Sequence, residues 1–212
     1  MISLDRRLVA AFIIVAMIAT ALSVLAATGS LLPGDLRITH DLQRTPGGAG
    51  IESASELVYA AQFWLFGGAA LAAVLSRRFE LAVAAALVLV GLLADVGLKD
   101  LIQRARPTAA AHVIIREHAP GYGFPSGHSM TAMLFFGYVS AVAWRLLPRA
   151  AAAASLVLSV ASVLLIGWMR VYNGAHWPSD VFGGWSIGFV LLLAALWLAP
   201  RIARRAASRA PA

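Results

Sequence analysis

Six apolar runs of membrane-spanning length leave this chain few ways to fold. They cover residues 8–28, 57–75, 81–98, 129–147, 150–169 and 181–200. A helix needs roughly 18 or more largely apolar residues to cross the hydrocarbon core. Lipid offers backbone N–H and C=O groups no partner, so each run must satisfy its own. The sequence therefore predicts an all-α fold, an integral membrane bundle of six transmembrane helices forming one domain over 1–212. Its 60% hydrophobic and 13% charged residues lie far from the roughly 45–50% apolar and 25% charged content of soluble domains. The chain has no cysteine, which excludes a disulfide scaffold and a thiolate metal site.

A net charge of +7 invites an anionic partner, and its distribution selects lipid over nucleic acid. Ten of the 17 basic residues (Arg6, Arg7, Arg77, Arg78, Arg145, Arg149, Arg201, Arg204, Arg205 and Arg209) fall on one side of a six-span model. The other side holds Arg37, Arg44, Lys99, Arg104, Arg106, Arg116 and Arg170. Lys99, Arg106 and Arg170 are candidate site residues, and without them the asymmetry widens. The positive-inside rule then places both termini in the cytoplasm. The Arg-rich tail after Pro200 reads as a topology anchor near anionic lipid. A basic start, an apolar run and the small residues Ala27-Thr28-Gly29 also describe a signal peptide. The run is about 21 residues, longer than the usual 7–15, so a retained helix is the reading.

The connections carry further expectations. The first external one, 29–56, is broken by Pro33, Gly34, Pro46, Gly47, Gly48 and Gly50, and reads as a solvated linker or a mobile flap. The tight turns at Ser76–Glu80 and Pro148-Arg149 make their flanking helices antiparallel neighbours. Alanine-rich stretches at 82–86 and 150–154 imply close packing, and Gly184 with Gly188 can seat the last helix against a neighbour.

Chemistry gathers at the outer ends of four runs. Lys99 and Arg106 are seven residues apart, near two helical turns, and share a face if the helix continues to Pro107. Such cations can hold phosphoryl oxygens, Arg through its planar fork; read singly, Lys99, Arg104 and Arg106 are also ordinary snorkelling residues. Asp95 lies one turn before Lys99 inside an apolar run, where a carboxylate is costly. It either forms a structural ion pair with Lys99 or orients it. Pro125-Ser126-Gly127-His128 breaks regularity before the fourth run. Ser126 can cap the helix, the following amides face outward as an anion site, and His128 can give or take a proton. Arg170, His176 and Asp180 follow at intervals of six and four. A carboxylate on one imidazole nitrogen fixes the tautomer and leaves the other as a nucleophile. His40, His112, His118 and Glu117 read as solvated loop residues. All three segments lie on one side of the membrane, and that agreement is the strongest inference from the residues alone.

The three segments resemble the signature of the type 2 phosphatidic acid phosphatase family, integral-membrane relatives of vanadium haloperoxidases. Lys99 through Arg106-Pro107, then Pro125-Ser126-Gly127-His128, then Arg170, His176 and Asp180 match its motifs in order and spacing over 99–180. One departure is Met169, where the family usually has Ser ahead of the Arg. The resemblance implies that His176 attacks phosphorus and forms a phosphohistidine, with Asp180 orienting it and His128 as acid and base. It implies that Lys99, Arg106, Arg170, Ser126 and Gly127 hold the phosphate, with Asp95, Pro107 and Pro125 in support. No cofactor and no metal are implied, because cationic side chains take a metal's role. The partners expected are the bilayer and a lipid phosphate or diphosphate, first polyprenyl diphosphate, then phosphatidylglycerol phosphate or phosphatidate. The site would lie outside a bacterial inner membrane. A head-group transferase, a vanadium haloperoxidase and a non-enzymatic membrane protein are the alternatives. The sequence carries no signal for an oligomeric state.

Overall fold

The computed structural model describes residues 6–46 and 48–208; Gly47 of the first connection and Arg209 of the basic tail lie outside them. The described residues are helical, without strands. They form α1 (Arg6–Ala27), α2 (Asp35–Gln43), α3 (Gly48–Leu75), α4 (Phe79–Gly91), α5 (Leu93–Ile102), α6 (Gly127–Leu146), α7 (Arg149–Tyr172) and α8 (Pro178–Ala207). A single 3₁₀ turn at Ala109–Ala111 interrupts the long segment between α5 and α6.

Helices α6 and α8 are the spine. α6 packs on α8, α7 and α3, while α8 also receives α4 and α1. Their close approach depends on two glycines: a Cβ on Gly184 would stand 2.6 Å from the Ser126 carbonyl oxygen, and one on Gly188 would stand 2.9 Å from that of Met130. The spacing of these small residues thus seats α8 against α6, as the sequence suggested. Around this seam Phe66, Leu81, Val88, Met130, Leu134, Phe135, Tyr138 and Leu192 form the main buried cluster. The outward surface is apolar too. Trp64, Leu75, Leu93 and Val157 are 84%, 74%, 70% and 68% exposed, an arrangement suited to lipid rather than water.

Among the described residues, four helical stretches are long and apolar enough to cross a membrane: 50–75, Phe79–Ile102, Arg149–Tyr172 and 178–206. The second combines α4 and α5, which join at Leu92. In α1 a shorter apolar stretch, Phe12–Ala27, stands apart from these four.

Three local expectations are corrected. The first connection is not a free linker. α2 occupies its middle, α3 begins at Gly48, and Asp35 and Gln43 are buried. Gln43 Nε2 donates to the carbonyls of Ile114 and Tyr172 at 2.7 and 3.0 Å, and its Oε1 accepts from Ile114 N at 2.9 Å. The helix is polar because its inner face meets polar groups, so its sequence mimics a loop. Second, Lys99 and Arg106 do not share a helix. α5 ends at Ile102, and Gln103 turns left-handed at φ 53°, so extended chain carries Arg106. Third, of the alanines at 150–154 only Ala152 is buried; the others face outward.

Candidate active site

The loop between α7 and α8 fixes His176. Gly174 turns the chain at φ 68°, and a Cβ there would run into the Ile114 carbonyl oxygen. The amides of Ala175 and His176 both donate to the Arg170 carbonyl at 3.2 Å. α8 then starts with Pro178 at its first position, where a missing N–H costs nothing. Asp180 reaches back to accept from Trp177 N at 2.9 Å, placing a carboxylate in the helix's positive first turn.

His176 is 2% exposed. Its Nδ1 lies 2.8 Å from the Gly123 carbonyl oxygen. A carbonyl only accepts, so Nδ1 carries the proton and Nε2 presents its lone pair. Arg106 Nη1 faces that Nε2 at 3.0 Å. Asp180 Oδ2 stands 3.7 Å from Nδ1, an ionic contact rather than a hydrogen bond. The expected direct carboxylate–imidazole bond is therefore replaced by a backbone carbonyl; Asp180 Oδ2, the nearer oxygen, accepts from Trp177 N, and Oδ1 accepts from Arg104 Nη1 at 2.6 Å. Burial first, then Arg106 and Arg170, hold the His176 imidazolium below its ordinary pKa, against the pull of Asp180.

The cations are each held in place. Arg106 donates to the carbonyls of Gly121 (3.0 Å), Ala175 (2.7 Å) and Pro120 (3.1 Å). Pro107 after it is buried. Arg170 is 6% exposed and binds Glu117 with both terminal nitrogens at 2.7 Å. Glu117 is therefore not a solvated loop residue. Burial alone would raise its pKa, but the two Arg170 hydrogen bonds and the Arg170 charge overcome this and leave it lowered. Arg170 Nε is buried without a partner, an N–H of a charged group left unmatched. Lys99 Nζ pairs with Asp95 at 2.6 Å.

The α6 N-terminus completes the cluster. Pro125 follows a cis peptide, and Ser126 is fully buried, its amide donating to the Asp180 carbonyl at 3.0 Å. Ser126 occupies the cap position without a side-chain capping bond; its Oγ instead accepts from Ser129 Oγ at 3.0 Å. Gly127 has a specific reason to lack a side chain: a Cβ would stand 2.7 Å from Asp95 Oδ2 and 3.0 Å from Lys99 Nζ. The Asp95–Lys99 pair thus lies directly against the helix end. His128 stacks on Tyr59, with ring centroids 4.1 Å apart and 26° between planes. The charges acting on it come from Arg170, His176, Glu117 and Lys99. His128, Glu117, Arg170, Asn173, Met169 and Tyr59 border one cavity of about 270 Å³.

All the motif residues thus converge at one end of the helices. Sequence reasoning missed Glu117, Tyr59, Gly123, Arg104 and Asp35. Arg104 had a visible signal, a second arginine two residues before Arg106, but it read as a snorkelling side chain. His40 lies on α2 with Nε2 buried and without a hydrogen-bond partner, so it is not a solvated loop residue; His112 and His118 are exposed.

The sequence pattern of the PAP2 superfamily matches residues 79–204. The chain belongs to the PAP2 superfamily. Among curated relatives, phosphatidylglycerophosphatase B of Bacillus subtilis is 38% identical over 44% of this chain and 45% of its own length. Lipid A 1-phosphatase of Rhizobium etli is 38% identical over 50% of this chain and 45% of its own. An undecaprenyl-diphosphatase of Sulfolobus acidocaldarius is 36% identical over 32% and 29%. The match thus spans less than half the length of these relatives. A crystal structure of a transmembrane PAP2-type phosphatidylglycerolphosphate phosphatase from Bacillus subtilis shares the fold, with a TM-score of 0.53, 21% identity, and coverage of 92% of this chain and 96% of that one. With its apolar helices and transmembrane relative, this PAP2 protein is a multi-pass membrane protein.

Proposed function

We propose that this PAP2 protein hydrolyses a lipid phosphate or diphosphate without a metal, through a phosphohistidine on His176, at the outer face of a bacterial inner membrane. One observation carries the reading: His176 is buried with Nδ1 committed to the Gly123 carbonyl and Nε2 facing Arg106. Cleaving a phosphate ester needs a nucleophile in line with phosphorus and donors on the equatorial oxygens. Nε2 is that nucleophile. Its bond to Arg106 Nη1 exchanges for a phosphoryl oxygen as the substrate arrives. Arg170 contributes its unpartnered Nε, Lys99 its ammonium, and the first amides of α6 their N–H groups. The first bond inside α6 runs from Met130 N to the Ser126 carbonyl, so the amides of Gly127, His128 and Ser129 have no carbonyl partner within the helix.

In the first step Nε2 bonds to phosphorus, the bond from phosphorus to the lipid-side oxygen breaks, and His128 supplies the proton to the leaving oxygen. In the second, His128 takes a proton from water as its oxygen attacks phosphorus. The P–N bond breaks, releasing phosphate and restoring His176. Asp180 stabilises the positive charge that His176 carries between the steps. Arginine and lysine supply the charge that a divalent metal would otherwise bring.

The proposed topology keeps six spans: α1, α3, the α4–α5 pair, α6, α7 and α8, with both termini cytoplasmic. Charge sidedness supports it. Polyprenyl diphosphate suits an external site where a carrier lipid is recycled. A glycerolipid phosphate is the second reading, favoured by the names of the Bacillus relatives. The test is phosphate release by the purified chain from a panel of polyprenyl and glycerolipid phosphates, with His176→Ala alongside. Release lost in the variant and indifferent to EDTA supports the proposal; full release by His176→Ala, or loss in EDTA with rescue by magnesium, overturns it.

A further inference from the structure

Behind His176, Asp180 belongs to a buried charge cluster whose other members, Arg104 and Asp35, have no part in the proposed reaction. Arg104 donates through Nη1 to Asp180 at 2.6 Å and through Nη2 to Asp35 at 2.8 Å. The three are 1%, 0% and 2% exposed. Ser179 ties the group together. It donates to Asp35 from its amide at 3.0 Å and from Oγ at 2.8 Å, and its Oγ accepts from Arg104 Nη1 at 2.7 Å. Leu32 N also donates to Asp35 at 3.0 Å, and Arg104 Nη2 to the Ser30 carbonyl at 3.2 Å.

The charge count is uneven: two carboxylates share one guanidinium. An Arg104–Asp180 pair alone would be neutral. A second buried carboxylate from α2 adds an uncompensated charge, which desolvation makes unfavourable for stability by itself. A neighbouring histidine that becomes positive gains from that charge. We infer that Asp35 is a positioning residue of the proposed reaction, dividing Arg104's charge so that Asp180 keeps a net negative charge for His176. This rests on the reading of His176 as the nucleophile. The other groups facing His176 are Arg106 from the segment after α5, Arg170 from α7 with its partner Glu117, and His128 from α6. Of these, Arg106 and Arg170 oppose positive charge on His176, so the negative cluster is their counterweight.

The test compares Asp35→Asn, Arg104→Gln and the double variant, as full chains in detergent. Titration of the His176 ring, followed by NMR of histidine-labelled protein and assigned with His176→Ala, reads the charge without turnover. The titration should move to lower pH in Asp35→Asn, where the cluster becomes neutral, and to higher pH in Arg104→Gln. The double variant should return towards wild type. In turnover, Asp35→Asn should lose about 10–100-fold in kcat, as for outer groups that orient a reactive imidazole, with KM little changed. A His176 titration that fails to follow this order in whichever variants fold overturns the inference. If the titration follows the order but no lipid phosphate is hydrolysed, the phosphatase reading fails instead.

Discussion

Gly127→Ala separates the geometry of the site from the stability of the fold. The added Cβ would lie 2.7 Å from Asp95 Oδ2 and 3.0 Å from Lys99 Nζ, so Asp95 must retreat by about 0.7 Å and Lys99 by about 0.4 Å to reach ordinary contact near 3.4 Å. Both are side-chain ends, at 19% and 23% exposure, and can move without disturbing backbone. The stability cost is therefore small. Loosening a part-exposed ion pair costs about 1 kcal/mol or less, and replacing Gly by Ala in a helix returns about 0.5–1 kcal/mol. The two nearly cancel, and Tm should stay within about 2 °C of wild type. Activity should not survive as well. A 1 Å misplacement at the chemistry costs about a hundredfold, so a shift of about half that at the Lys99 ammonium should lower kcat/KM by about tenfold. The assay is phosphate release at saturating and limiting lipid phosphate, beside thermal unfolding in the same detergent. Wild-type kcat/KM in a folded Gly127→Ala protein would refute the reasoning, because Lys99 could then move freely without consequence.

Gly174→Ala should behave oppositely: its φ of 68° and the backbone carbonyl of Ile114 leave no room. It should lose at least about 2 kcal/mol and lower Tm by about 5 °C or more, read by thermal unfolding. Glu117→Gln frees the fork of Arg170 and removes a negative charge beside the phosphate position. Orthophosphate should then inhibit several-fold more tightly, measured as its inhibition constant. Because the Glu117 pKa lies below its ordinary 4.5, the ion pair's contribution is fully present above that value. It is lost as pH falls through the lower folded value, so Glu117→Gln should flatten the acid limb of a stability profile. His176 has a pKa lowered from 6.5, so its neutral form persists as pH falls through 6.5. The acid limb of kcat/KM should lie below 6.5. Stability should decline from the same point, since the unfolded chain takes up a proton that the folded chain resists.

The helical fold was legible because lipid-facing helices expose their apolar surface along the whole run, and Leu75, Leu93 and Val157 signal it without tertiary context. The motif residues were legible because their spacing is local. Arg170, His176 and Asp180 are set by one helix end, one turn and one helix start. What stayed hidden depends on pairs far apart in sequence. Asp35 meets Ser179 and Arg104 across the fold, and Glu117 meets Arg170, yet nothing in their own neighbourhoods marks them. α2 was hidden for the same reason, since its polar inner face resembles the composition of a solvated linker. Asp180 shows the limit within a correct motif: spacing four put it near His176, but Arg104 had to be seen before its closer partner was known.

The central claim is a covalent phosphoryl group on His176. A single turnover of lipid phosphate by the wild-type chain, quenched in alkali to preserve a P–N bond and analysed by peptide mass spectrometry, tests it directly. The account predicts a phosphoryl adduct confined to His176, formed as the lipid product leaves and lost as phosphate is released. An adduct on another residue, or hydrolysis with no adduct at His176 on any timescale of turnover, would contradict it.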